Sequence, residues 1–137
     1  MRILMLHCDA FEYGVTQETP VAEKNPEKKE SRLEDVFVYM TCFEKKDEDR
    51  VIELLQKFIE AVKTDTERLG KKKIMIYPYA HLSNNLGSAK IAKEFLEMLM
   101  KELSKEGIEA EKSPFGWYKR FTIVCKGHPI AESFREY

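Results

Sequence analysis

An α+β fold, a mixed β-sheet with two amphipathic helices packed on it, is what this chain predicts. Three observations carry it. Two long segments repeat apolar residues at helical spacing. The other apolar runs are short and rich in β-branched and aromatic types, as strands are. The order is strand, strand, helix, strand, helix, then strands, which fits α+β or mixed α/β with two helices laid against a sheet.

Residues 2–8 read as the first strand. Ile3 and Met5 alternate with Leu4 and Leu6, so both faces are apolar and the strand is central. Residues 18–34 carry Pro20, Asn25-Pro26 and a Lys/Glu run, the marks of a solvated loop. Residues 35–44 are aromatic and β-branched, a second buried strand. Asp47 is placed to cap the first helix, where Glu48 and Asp49 suit the positive N-terminal end. Val51, Leu54, Leu55, Phe58, Ile59 and Val62 form its apolar face, and Gly70 follows its end. Lys73 to Tyr79 make a third strand. Asn84-Asn85-Leu86-Gly87 turns the chain, and Ser88 caps a second helix. Ile91, Phe95, Leu99 and Leu103 line that helix's buried face, with Gly107 beyond it. A short strand over 108–112 follows, then one over 118–126. Gly127-His128-Pro129 turns into a last strand over 130–134.

The 137 residues fit one domain with enough chain to bury a core. A hydrophobic fraction of 43% against 34% charged residues describes a globular chain rather than a disordered one. The formal charge of −1 argues against a tight, nonspecific nucleic-acid binder. It leaves room for contact with a short RNA end. Cys8, Cys42 and Cys125 are widely spaced with no C-x-x-C pair. With no signal peptide and no apolar run near the roughly 18 residues a membrane span needs, the chain reads as cytoplasmic, with reduced thiols and no membrane partner.

Two segments look chemical. Tyr77-Pro78-Tyr79-Ala80-His81-Leu82 leaves a strand, and Pro114-Phe115-Gly116-Trp117-Tyr118-Lys119 enters one. Each sets a titratable group among aromatics at a strand end, where sites sit on a rigid scaffold. Should they meet, they would wall a small pocket for a polar substrate. By spacing alone Lys119 is also an exposed strand position, and His81 a hydrogen-bonded structural residue. As functional groups, Lys119 could hold a carbonyl oxygen or orient a water, and His81 could act as base or acid near neutral pH. Cys125 and His128 suggest a thiol–imidazole pair, but Cys125 falls on the inward face of its strand, where cysteine behaves as a small hydrophobe. His7, Cys8 and Asp9 are too close on one strand to converge on a metal. No phosphate-binding glycine loop is present. Glu132 is by itself an ordinary carboxylate, of interest only if its strand lies beside Lys119, which the short Gly127-His128-Pro129 turn favours.

Met1-Arg2-Ile3-Leu4-Met5-Leu6-His7-Cys8-Asp9, Tyr77 to Ser83, Pro114 to Lys119 and Cys125 to Glu132 together resemble the N-terminal editing domain of archaeal threonyl-tRNA synthetase, in order over nearly the whole chain. That family is similar in fold to D-aminoacyl-tRNA deacylases, whose Ser-Gln-Phe-Thr motif is absent here. The resemblance implies proofreading hydrolysis of serine mistakenly attached to the threonine-specific tRNA. It implies as partners the 3′ end of that tRNA and the remainder of the synthetase, and a homodimer. It implies a single editing domain over 1–137, without aminoacylation core or anticodon-binding domain. No cofactor and no metal are expected in this domain; ATP and zinc would belong to the missing core.

Carried over residue by residue, the resemblance implies Lys119 as the principal catalytic group, with His81 and Glu132 in support. Pro78 and Ala80 beside His81 on one side, and Phe115 and Tyr118 beside Lys119 on the other, would bind substrate, with Phe43 and Glu132 completing the site. A terminal ribose hydroxyl of the tRNA would assist, with no covalent intermediate. The alternatives are a general D-aminoacyl-tRNA deacylase and a noncatalytic binding or dimerisation module.

Overall fold

The computed structural model describes residues 1–70 and 73–137. Its strands are β1 (Arg2–Glu18), β2 (Glu30–Cys42), β3 (Lys73–Pro78), β4 (Ala110–Lys112), β5 (Trp117–Cys125) and β6 (Glu132–Glu136), and its helices are α1 (Val51–Leu69) and α2 (Ala89–Lys105). The six strands form one sheet in the order β4-β3-β2-β1-β5, with β6 also on β1. The expected mixed sheet with two helices is therefore the architecture observed. The β2–β3 and β3–β4 pairs are parallel and are joined through α1 and α2. β1 is antiparallel to each of its neighbours. Among the described residues, no helix is long and apolar enough to cross a membrane.

β1 is central because both its faces can be buried. Ile3 and Met5 pack with Phe37 and Tyr39 against Leu54, Phe58 and Val62 of α1 and Phe95, Leu99 and Leu103 of α2. Leu6 and Cys8 pack with Val36 and Val38 in a second core on the other face. Both of the first strands are longer than expected, and residues 30–34, expected in a loop, belong to β2. Beyond Cys8 apolar residues resume one position out of step at Phe11 and Tyr13, and Phe11 pairs with Leu33. The outward polar residues pair across the strands, as Arg32 does with Glu12 at 3.1 Å, so polarity there marks a solvated face and not a loop.

A kink divides β1. Its register with β5 shifts between Cys8 and Ala10, and Asp35 on β2 has φ of 48°. The side-chain alternation changes phase there, so odd-numbered Phe11 and Tyr13 join even-numbered Leu6 and Cys8 in the second core. The sheet curls in consequence. β3 and β5 stand three steps apart, about 14 Å in a flat sheet, yet the Phe121 ring lies 5.7 Å from that of Tyr77 and 6.3 Å from that of Tyr79.

Asp47 does not cap α1, whose N-cap is Arg50. It closes a 3-10 turn over Lys45–Asp47. Fully buried, it accepts the Glu44 amide at 2.7 Å and the Met1 nitrogen at 2.6 Å; a buried carboxylate is held where donors converge. Ser88 is the N-cap residue of α2 but makes no side-chain cap bond; its amide donates to Glu48 at 2.8 Å. β6 starts two residues later than expected because the turn runs on to Ala131, whose amide bonds His128 and whose carbonyl accepts the His7 amide.

Asp65 of α1 is buried. It accepts the Tyr39 hydroxyl at 2.9 Å and the Arg135 guanidinium at 2.6 Å, tying α1, β2 and β6 together. Burial, and then the charge of Asp65, push the Tyr39 phenol far up, so it stays a donor. Asp65→Ala leaves both donors unmatched and is expected to cost about 3 kcal/mol of stability. Tyr39→Phe, which keeps the Arg135 pair, should cost about 1 kcal/mol. Urea unfolding of the two variants checks both values and their order.

Candidate active site

The first wall of the site is the end of β3. The parallel pairing with β2 reaches Thr41 opposite Pro78, and proline has no amide to extend a ladder. The Tyr79 amide makes one more bond, to the Thr41 carbonyl at 2.8 Å, before the chain turns through a 3-10 turn over Ala80–Leu82. Arg2 holds the Leu82 carbonyl at 2.7 Å, and the Ser83 hydroxyl donates to Glu44 at 2.6 Å. His81 is therefore an exposed side chain on a firmly anchored turn, set edge-on to the Tyr79 ring at 5.2 Å.

The second wall is the loop between β4 and β5. Gly116 has φ of 74°, and a Cβ there would stand 2.8 Å from the Ala22 α-carbon; only glycine meets both demands. This contact lets the segment after β1 strap the loop down. The Thr19 hydroxyl donates to the Gly116 carbonyl at 2.7 Å, and the Trp117 indole donates to the Glu23 carbonyl at 2.9 Å. The Glu23 carboxylate accepts the Phe115 amide at 3.2 Å and the Lys112 ammonium.

Between the walls lies a cavity of about 450 Å³. Pro78, Ala80 and His81 border it from the first wall, and Phe115, Tyr118 and Lys119 from the second. Phe43 lines it as well, held against Phe95 of α2 with ring centroids 5.6 Å apart. Leu86 and Gly87 close the far side. A Cβ on Gly87 would lie 2.7 Å from the Glu44 carbonyl oxygen, so the turn before α2 approaches this closely only as glycine.

Lys119 is the charged group of the cavity. Its ammonium donates to the carbonyls of Pro114 at 2.8 Å and Trp117 at 3.2 Å and stands 4.9 Å from the centre of the Tyr77 ring. Burial, with a smaller push from Lys112, lowers its pKa to about 8, and Glu23 offsets part of this. An ammonium has three donors. Two are engaged, which orients the group and leaves the third for an incoming oxygen.

Glu132 is not part of this cavity. It is exposed on β6 opposite Leu6, whereas Lys119 lies opposite Val15. β5 and β6 follow one another along the same edge of β1, so the short turn between them sets them end to end and not side by side. His128 does not pair with Cys125: its Nε2 meets His7 Nδ1 at 2.9 Å, and Cys125 lies opposite Cys8. Sequence reasoning missed Glu23 and Thr19, which sit in or beside a Lys/Glu-rich stretch that carries no distinguishing pattern. Gly87 reads as a turn residue in the sequence, and its close approach to the Glu44 carbonyl shows only in the fold.

A family model described as the archaea-specific editing domain of threonyl-tRNA synthetase matches residues 1–137. The threonine–tRNA ligase of Methanobrevibacter smithii is 39% identical over 136 residues, covering 98% of this chain and 22% of that one. The Methanosarcina mazei ligase is 40% identical over 136 residues, covering 98% and 21%. The chain thus spans about a fifth of the length of these relatives. Among solved structures, the c-Myc DNA unwinding element binding protein superposes with a TM-score of 0.70 at 10% identity, covering 100% of this chain and 99% of that one; this likeness shows a common fold. By the full-length family match and these identities, the chain belongs to the archaea-specific editing domains of threonyl-tRNA synthetase.

Proposed function

We propose that this chain hydrolyses the ester joining L-serine to the threonine-specific tRNA and spares L-threonine on the same tRNA. Family membership supports the editing reaction, and the observation that carries it to residues is the oriented, half-buried ammonium of Lys119 in an aromatic-walled cavity. Serine lacks only threonine's methyl group. One methyl in a binding pocket is worth about 1–3 kcal/mol, too little for accurate charging, so a second, hydrolytic site is needed.

The reaction moves negative charge onto the ester carbonyl oxygen as water adds. The free donor of Lys119 stabilises that oxygen, and the surrounding rings keep the interaction out of bulk water. A ribose hydroxyl of the terminal adenosine assists the water. His81, at the exposed rim, hydrogen-bonds to substrate or water. The rings of Tyr118 and Phe115 offer a platform for the terminal base. Pro78, Ala80 and Phe43 shape the floor against which threonine's methyl clashes. Hydrolysis as proposed draws on protein and tRNA groups alone. Glu132, outside this chain's cavity, is given no step. The proposal includes a homodimer, supported by exposed Phe134 and Val124 on the outer strands, and the rest of the synthetase as the holder of the tRNA body.

The testing experiment is single-turnover deacylation by the folded chain of L-seryl-, L-threonyl- and D-seryl-tRNA, all on threonine-specific tRNA. Fast loss of L-serine with threonine retained is expected. Loss of D-serine alone would replace the proposal with chiral proofreading, and binding of all three without turnover would leave a binding module. Lys119→Ala should slow L-serine release by about 10²–10³-fold while leaving the unfolding midpoint near wild type. Because the ammonium acts protonated, the enzyme-dependent rate, corrected for spontaneous hydrolysis, should fall as pH rises through about 8. A flat or rising corrected profile would remove Lys119 from the chemistry.

A further inference from the structure

At the end of β5 remote from Lys119, two thiols meet. Cys8 of β1 and Cys125 of β5 are direct partners in antiparallel register. The Lys126 amide donates to the His7 carbonyl at 2.8 Å. That bond flanks, and does not join, the cysteine pair, which makes it a non-hydrogen-bonded pair. Such residues have α-carbons about 4.5 Å apart and side chains on one face. Disulfides span α-carbon separations of about 4.4–6.8 Å. The thiols are close enough that each shifts the acidity of the other. In the reduced chain they donate only weakly to carbonyls, Cys8 to Leu6 at 3.7 Å and Cys125 to His7 and Lys126 at 3.6 Å. Cys42 is placed differently, opposite Arg2 on β2 with its thiol on the Ala80 carbonyl.

We propose that Cys8 and Cys125 form an intrachain cross-strand disulfide when the protein meets a hydroperoxide. Cys8 is fully buried and Cys125 only partly so, which assigns the steps. The Cys125 thiolate attacks the peroxide; the O–O bond breaks, Cys125 becomes a sulfenic acid, and water or an alcohol leaves with a proton. The Cys8 sulfur then attacks that sulfur; the S–O bond breaks, and hydroxide leaves as water with the Cys8 proton. Two thiols are oxidised and one hydroperoxide is reduced. Burial pushes both thiols up, Cys8 to about 12, so the reaction is slow at neutral pH and quickens as pH rises. The bond would pin the start of the turn that carries His128 to β1 at its kink. This inference does not depend on the proposed ester hydrolysis.

The test treats the native chain with hydrogen peroxide, denatures it, alkylates the remaining thiols with iodoacetamide and reads intact mass and a non-reducing peptide map. One alkylated thiol, at Cys42, and a peptide joining Cys8 to Cys125 that dithiothreitol releases are expected. The Cys42→Ser variant should form the same link, and Cys8→Ser should instead trap Cys125 as a dimedone-reactive sulfenic acid. Three alkylated thiols, a link through Cys42 or between chains, or sulfinic acid at Cys125 with Cys8 still free in the wild-type chain would overturn the proposal.

Discussion

The phase change at the middle of β1 is the constraint on which the cavity depends. Upstream of it, one face of β1 meets the helices. Downstream, Phe11 and Tyr13 turn toward the opposite core, which unbroken alternation would have denied them. The bulge and the positive φ of Asp35 supply the bend. With the sheet curled, Phe121 meets Tyr77, and Lys119, two residues before it on the same side of β5, comes over the Tyr77 ring. A flat sheet of the same strand order would leave Lys119 in solvent on an outer strand. The fold and the candidate chemistry therefore share one structural cause.

Electrostatics at Lys119 is a contest in which burial wins. The low dielectric disfavours the charged form, Lys112 adds repulsion, and Glu23 opposes both. Two backbone carbonyls and an aromatic face keep the group hydrogen-bonded without neutralising it. A carboxylate in direct contact would have held the ammonium charged but spent it on a fixed partner. Carbonyl dipoles orient it and leave its charge for an oxygen that becomes negative only during reaction. Glu23 acts mainly through the loop, by holding Lys112 and the Phe115 amide.

The helices and strand cores were legible because each buries a stripe whose period shows in the sequence. Phe95, Leu99 and Leu103 needed no more than spacing of three and four. The cavity's two walls were legible because aromatics cluster with one cation at strand ends. What escaped was long-range. Glu30 to Glu34 read as loop because solvated strand residues and loop residues have the same polarity, and only pairing with β1 tells them apart. Asp47 reads as a helix cap, and nothing in the local pattern singles out Asp65; the burial of both is set by donors 46 and 70 residues away. The short turn before the last strand favours Glu132 lying beside Lys119, but β1 is long enough for β5 and β6 to occupy successive stretches of its edge.

The central claim is that Lys119 is a desolvated, oriented ammonium that meets the substrate ester. NMR titration of the lysine ζ-nitrogens in isotopically labelled chain, with Lys119→Met for assignment, tests it most directly. It should be run with and without a non-hydrolysable amide analogue of 3′-seryl-adenosine. A Lys119 pKa near 8 in the free chain that moves when the analogue binds is the predicted result. A Lys119 that titrates at the ordinary lysine value and ignores the bound analogue would contradict it.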